Sequence, residues 1–190
     1  NTEDEFKERD GFDAEGIALK GSNSLYHIYT LLNNQLTGKH QLMGSQLYVD
    51  WQGSYGKTTS DEPNRRQVMF RKNADGTLSL FDLNQQETMR YFSDLFEDEW
   101  NGDVKVKYLL NKDAEKPNFF RLGVSLRNKS RDFYSANFYY NIKGLNPQID
   151  NIYETDGYLN EENLKNESIS IRKVSQKRNS YYAGTDIYAG

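Results

Sequence analysis

The most regular feature of the chain is a period-two alternation of apolar and polar residues between positions 104 and 142. Val104, Val106, Tyr108 and Leu110 alternate with Lys105, Lys107 and Leu109. Phe120, Leu122, Val124 and Leu126 alternate with Phe119, Arg121, Gly123 and Ser125, and Tyr134 to Ile142 repeat the pattern against Phe133 to Asn141. Successive side chains of a strand point to opposite faces, so each run predicts a strand with one apolar face. The polar stretches 111–117 and 128–132 read as turns, giving three antiparallel strands in a meander. Its polar face then displays Lys105, Lys107, Phe119, Arg121, Asn137 and Tyr139.

Further strands are predicted over 46–55, where Leu47, Val49, Trp51 and Tyr55 alternate with polar residues, and over 168–174. Between them, 56–64 reads as a polar loop containing Pro63, and the chain beyond Ser175 reads as a tail carrying Tyr181, Tyr182 and Tyr188. Val68–Arg71 and Leu78–Leu83 flank Asn73-Ala74-Asp75-Gly76, a tight-hairpin signal because Gly after Asp relieves a left-handed backbone position.

Two segments read as helices. Asn84 and Glu87 form a capping pair, and Met89, Phe92, Leu95, Phe96 and Trp100 follow at helical spacing to a stop at Asn101-Gly102, predicting a helix over 85–100. Glu97, Asp98 and Glu99 fall in its last turn, where the helix dipole disfavours negative charge. They are therefore expected to meet a basic neighbour such as the 104–146 segment. Leu25, Ile28, Tyr29, Leu32 and Leu36 suit a helix over 24–36, although Tyr26, Ile28, Thr30 and Leu32 also alternate as a strand would.

These elements predict an α+β fold in one domain, 1–190. It is an antiparallel β-meander sheet of six or seven strands, with a half-open barrel as the alternative closure and the 85–100 helix packed on it. Residues 1–16, with seven acids against Lys7 and Arg9, read as a loosely ordered acidic tail.

Composition narrows the chemistry. The 190 residues carry 14 Tyr, 10 Phe and no Cys. So many aromatics mark a folded chain, and zero Cys removes disulfides, thiolate metal sites and a Cys nucleophile. The net charge of −4 gives no global attraction to nucleic acid or an anionic surface. Its blocks alternate in sign, however: 104–146 holds nine bases against Asp113, Glu115 and Asp132. His27 and His40 stand apart, which argues against a triad or a transition-metal site. Glu97 to Glu99 diverge on a helix rather than flank a bond. Aligning Gly76 or Gly157 to a calcium-loop glycine leaves Arg71 or Ile152 where an acid is required. Asp150, Glu154 and Asp156 remain an irregular alternative.

No apolar run reaches the ~20 residues a membrane-crossing helix needs, so the sequence reads as soluble, without a transmembrane segment. The first residue is Asn1, which fits the mature part of an exported protein, and a lipid anchor upstream is compatible. The function expected is a non-enzymatic extracytoplasmic binding domain, the soluble part of a bacterial surface lipoprotein. It would engage a protein partner through the basic-aromatic sheet face, with no catalytic residue, metal or cofactor. An exported immunity or inhibitor protein, a lipocalin-like small-ligand or sugar binder, and last a carboxylate-based hydrolase are the alternatives.

Overall fold

The computed structural model describes residues 1–80, 88–111, 113–143, 148–149, 151–153 and 155–190. It is an antiparallel β-sheet with one short bent helical segment, the α+β class expected from sequence. The strands are β1 (Thr2–Phe12), β2 (Ala18–Leu42), β3 (Leu47–Lys72), β4 (Leu78–Leu80), β5 (Met89–Leu109), β6 (Phe119–Ile142), β7 (Gln148–Ile149) and β8 (Ile169–Ala189). Between β7 and β8 lie a 3₁₀ turn, Thr155–Gly157, and a helix α1, Glu161–Lys165. Asn160 caps α1 by accepting from the Asn163 N–H at 2.9 Å. In the sheet the order is β1-β2-β3-β5-β6-β8, with β4 beside β3 and β7 beside β4. Five strands span 21 to 26 residues, against the 3–10 usual in globular proteins.

Several expected elements merge into these long strands. The segment 89–100, expected as helix, is the first half of β5; residues 85–87 lie outside those described. Phe92, Phe96 and Trp100 are four residues apart, a spacing that falls on one face of a helix and equally on one face of a strand. The same ambiguity holds for Ile28, Leu32 and Leu36, and 24–36 is strand within β2. The expected turn 128–132 is uninterrupted strand in β6, the expected loop 56–64 lies within β3, and the tail beyond Ser175 completes β8. Residues 2–12, expected as loose tail, pair in register with 18–28, from Thr2↔Ile28 to Phe12↔Ala18. The hairpin at 73–76 forms as expected: Gly76 has φ +87°, Phe70 pairs with Leu80, and Asp75 accepts from the Thr77 N–H at 3.0 Å.

The chain divides into two compact units. The first, 1–29, 60–94 and 134–177, contains the packed core. Phe70, Leu78, Leu80, Ile149 and Ile152 cluster there, with Val68, Ile142, Tyr158 and Leu159 against them. Phe92 and Phe138 meet edge to face at 5.6 Å. In this unit β3 also changes side-chain phase. Ser60 reaches His27 at 2.6 Å, whereas Arg65 reaches Asn23 at 3.2 Å. Positions 27 and 23 share a face of β2, but 60 and 65 have opposite parity. An extra residue is accommodated between them, where Pro63 supplies no ladder donor; this is a β-bulge.

The second unit, 30–59, 95–133 and 178–190, is built from strand segments and two turns. At 43–46 the turn runs through three positive φ angles, Met43, Gly44 and Ser45. Gln46 and Leu109 join β3 to β5 at 2.9 Å, and Arg121 and Gly190 exchange both backbone bonds between β6 and β8, at 2.7 and 3.0 Å. Among its described residues, Leu109 is the one buried hydrophobic side chain.

Candidate functional site

The absence of a core in the second unit makes its two sheet faces the features to explain. On β5, the even positions from Phe96 to Tyr108 share one face and the odd positions from Glu97 to Lys107 share the other. Cross-strand contacts fix which residues of the neighbouring strands join each face.

One face is polar and cross-linked. Glu97 takes Lys129 at 2.8 Å and Arg131 at 3.9 Å; Glu99 takes Arg127 at 2.9 Å and Lys129 at 3.5 Å. Asp103 accepts from the Ser125 hydroxyl at 2.6 Å and pairs with Lys105 at 3.0 Å, while Asn101 donates to Ser54 at 3.3 Å. The acids of 97–99 thus meet the basic 104–146 segment as expected, though from a strand and without any helix dipole. The carboxylates and cations alternate across adjacent strands, the arrangement that favours opposite-charge pairing. Gln52, Asn101, Asp103, Arg127 and Asp186 line a shallow recess of about 240 Å³ on this face.

The other face is apolar and uncovered. Tyr55 stacks obliquely on Trp100 at 4.4 Å, Lys57 lies 4.8 Å over Phe96, and Trp51 donates its indole N–H to His40 at 3.0 Å. With them stand Leu32, Leu36 and Leu42 of β2, Val104 of β5, Phe120, Leu122 and Leu126 of β6, and Tyr181 and Ile187 of β8, all exposed. On this face Asp98 accepts from the Tyr55 hydroxyl at 2.5 Å, and Asn128 donates to the Tyr181 hydroxyl. Two glycines bring rings against neighbouring strands. A Cβ on Gly38 would lie 2.2 Å from the Trp51 indole, and on the polar face one on Gly123 would lie 1.9 Å from the Tyr188 ring.

Of the residues selected from sequence, Lys105, Lys107, Phe119 and Arg121 fall together on the polar face of the second unit. Lys107 lies over the rings of Tyr48 and Phe119, at 5.9 and 4.6 Å, and Arg121 over Phe119 at 5.3 Å. Lys105 is paired with Asp103. Asn137 and Tyr139 belong to the first unit, where Arg172 lies 4.4 Å over the Tyr139 ring. Of the carboxylates weighed for calcium, Asp150 and Glu154 lie outside the described residues. Sequence reading missed the apolar face itself, because its alternation was divided between two supposed helices, a loop and a tail.

The first unit holds a buried carboxylate. Glu62, beside the β3 bulge, is 7 % exposed, and its Oε1 has no hydrogen-bond partner. Burial pushes its carboxyl above the usual range, opposed by Arg65 and His27 and reinforced by Glu3.

Compared with models of known protein families, the sequence finds no match, and it finds none among curated proteins.

Proposed function

We propose that the second unit is a section of the wall of a membrane-spanning β-barrel of the outer-membrane type, with its apolar face toward lipid and its ion-paired face toward an aqueous interior. The observation that carries this reading is the exposed apolar face on a strand assembly with, among its described residues, a single buried hydrophobic side chain. Burial of apolar surface is the dominant favourable term in folding. A single sheet layer with no covering layer leaves that term unsatisfied in water, and hydrocarbon would satisfy it.

Other features agree. The segments Thr30–Leu42, Leu95–Leu109 and Phe119–Phe133 each exceed the roughly 9–11 residues a tilted strand needs to cross a bilayer. Apolar-out and polar-in alternation is the sequence signature of such walls, and aromatic residues concentrate where lipid meets water. Tyr55, Trp100, Lys57 and Asp98 form an amphipathic group suited to that boundary. Among the described residues no helix is long and apolar enough to cross a membrane; strands would make the crossing. Lipid tolerates no open strand edge, and membrane barrels begin at about eight strands. Further strands would therefore pair with β2 and β8 to close the wall.

The test uses the two tryptophans, Trp51 and Trp100, both on the apolar face. Brominated phosphatidylcholine vesicles should quench their emission on contact with acyl chains. Unquenched emission from vesicle-bound protein would overturn the reading.

A second reading, a protein partner engaged by the basic-aromatic corner, draws on Lys107 and Arg121. Neither has a carboxylate partner among the described residues, and both lie over Phe119. Reversing both to Glu should then abolish a salt-sensitive association while preserving the fold.

A further inference from the structure

We infer that the first unit carries a binding site for a small organic carboxylate, in the trough formed by β1, β2 and β3 beside the Asp13–Gly16 turn. The trough measures about 380 Å³, within the range of small-molecule sites, and it stands independently of the membrane reading. It is a gap in a sheet face. Arg9 pairs with Gly21 and Gly11 with Leu19 across β1 and β2, so two of the four positions on this face carry no side chain. A Cβ added at Gly11 meets nothing within 4 Å, which makes that position open space.

Arg9 and Arg65 line the gap from the two outer strands. The Arg65 guanidinium is held by its Nε donating to Asn23 at 3.2 Å, with Glu62 more distant at 3.9 Å. Arg9 has no carboxylate partner among the described residues. A planar guanidinium presents paired donors that match a carboxylate. Leu19 and Met69 add an apolar wall that a bare inorganic anion would not use. The Met69 thioether lies over Gly21, so the open space is the one over Gly11. Two cations, one of them unpaired, with an apolar wall and that open space select an anion bearing a short hydrocarbon body.

Calorimetric titration of the full chain with hexanoate, hexylammonium and inorganic phosphate tests the assignment. Hexanoate should bind saturably in the millimolar range. Arg9→Gln, an exposed change on β1, and Gly11→Leu, whose Cβ enters open space, should each weaken it at least about tenfold, with the circular dichroism spectrum unchanged. No saturable binding, equal binding of hexylammonium, or hexanoate affinity indifferent to Arg9→Gln would overturn the site. Phosphate binding as tightly as hexanoate would overturn the role given to the apolar wall.

Discussion

Leu36 and Gln35 are neighbours on β2 whose side chains leave opposite faces of the sheet, so together they measure what each face contacts. Leu36 is 71 % exposed, midway along Thr30–Leu42, on the face shared with Trp51 and His40. Gln35 shares the polar face with Lys39. If the apolar face contacts lipid, an Arg at 36 sits near the bilayer midplane, where such a substitution costs about 2–4 kcal/mol. At about 1.4 kcal/mol per factor of ten, the partition of the protein into membrane should fall about 30- to 700-fold. An Arg at 35 adds one cation to a face already built from charges and should change partition by less than about threefold, the ±0.5 kcal/mol of an ordinary surface change. Flotation of Leu36→Arg and Gln35→Arg with phosphatidylcholine vesicles, quantified by tryptophan emission, reads both numbers. In water alone the order would disappear, since both residues are exposed and neither change removes a packed contact. Equal partition of the two variants would therefore refute the two-faced wall.

Glu62→Gln should raise stability at neutral pH by about 1 kcal/mol, because a buried, unsatisfied carboxylate is replaced by a neutral group. The pH dependence has a defined sign. The folded-state carboxyl titrates above its unfolded value, so the protonated form contributes stability below the ordinary glutamate range, lost as pH rises through the folded value. Thermal melts of the parent should lose stability across that interval, and those of Glu62→Gln should lose less. Gly38→Ala should displace the Trp51 indole from His40 and cost about 1–3 kcal/mol through overpacking. A red-shifted emission together with a lowered denaturation midpoint would report it, and an unchanged spectrum would show that the ring has room to move. On the polar face, Lys129→Glu should destabilise by placing a third acid beside Glu97 and Glu99, and adding Glu97→Lys should recover part of the loss. Denaturant titration of the single and double variants checks this, and additive losses would mean the pair is not coupled.

The strands at 104–110, 119–126 and 134–142 were legible because they alternate without interruption, and the 73–76 hairpin because an Asp-Gly turn is chemically specific. The strand over 89–100 was not legible because residues four apart, Phe92, Phe96 and Trp100, satisfy both periods. The polar run 128–132 was misread as a turn because Lys129 and Arg131 look like solvent-facing residues until Glu97 is placed opposite them. The extended sheet was therefore hidden by its own polar face: stretches with charge on one side and modest hydrophobicity on the other resemble loops when read singly. The Arg9–Gly11 trough gave no local signal, since it arises from the register of β1 against β2 and from the side-chain phase of β3.

That phase change at Pro63 behaves like a compensated frameshift. Upstream and downstream stretches of β3 are each in step with β2, but with opposite parity, and the surplus residue reconciles them. Deleting a single residue within 61–64 would remove the surplus and restore plain alternation, leaving Ser60 beside His27 and Arg65 beside Asn23 on their present faces. The same deletion between Arg65 and Phe70 has no surplus beside it, and would send either Arg65 away from Asn23 or Phe70 away from Leu80. The strand should therefore tolerate the loss of one residue at this point, with the local kink lost along with it.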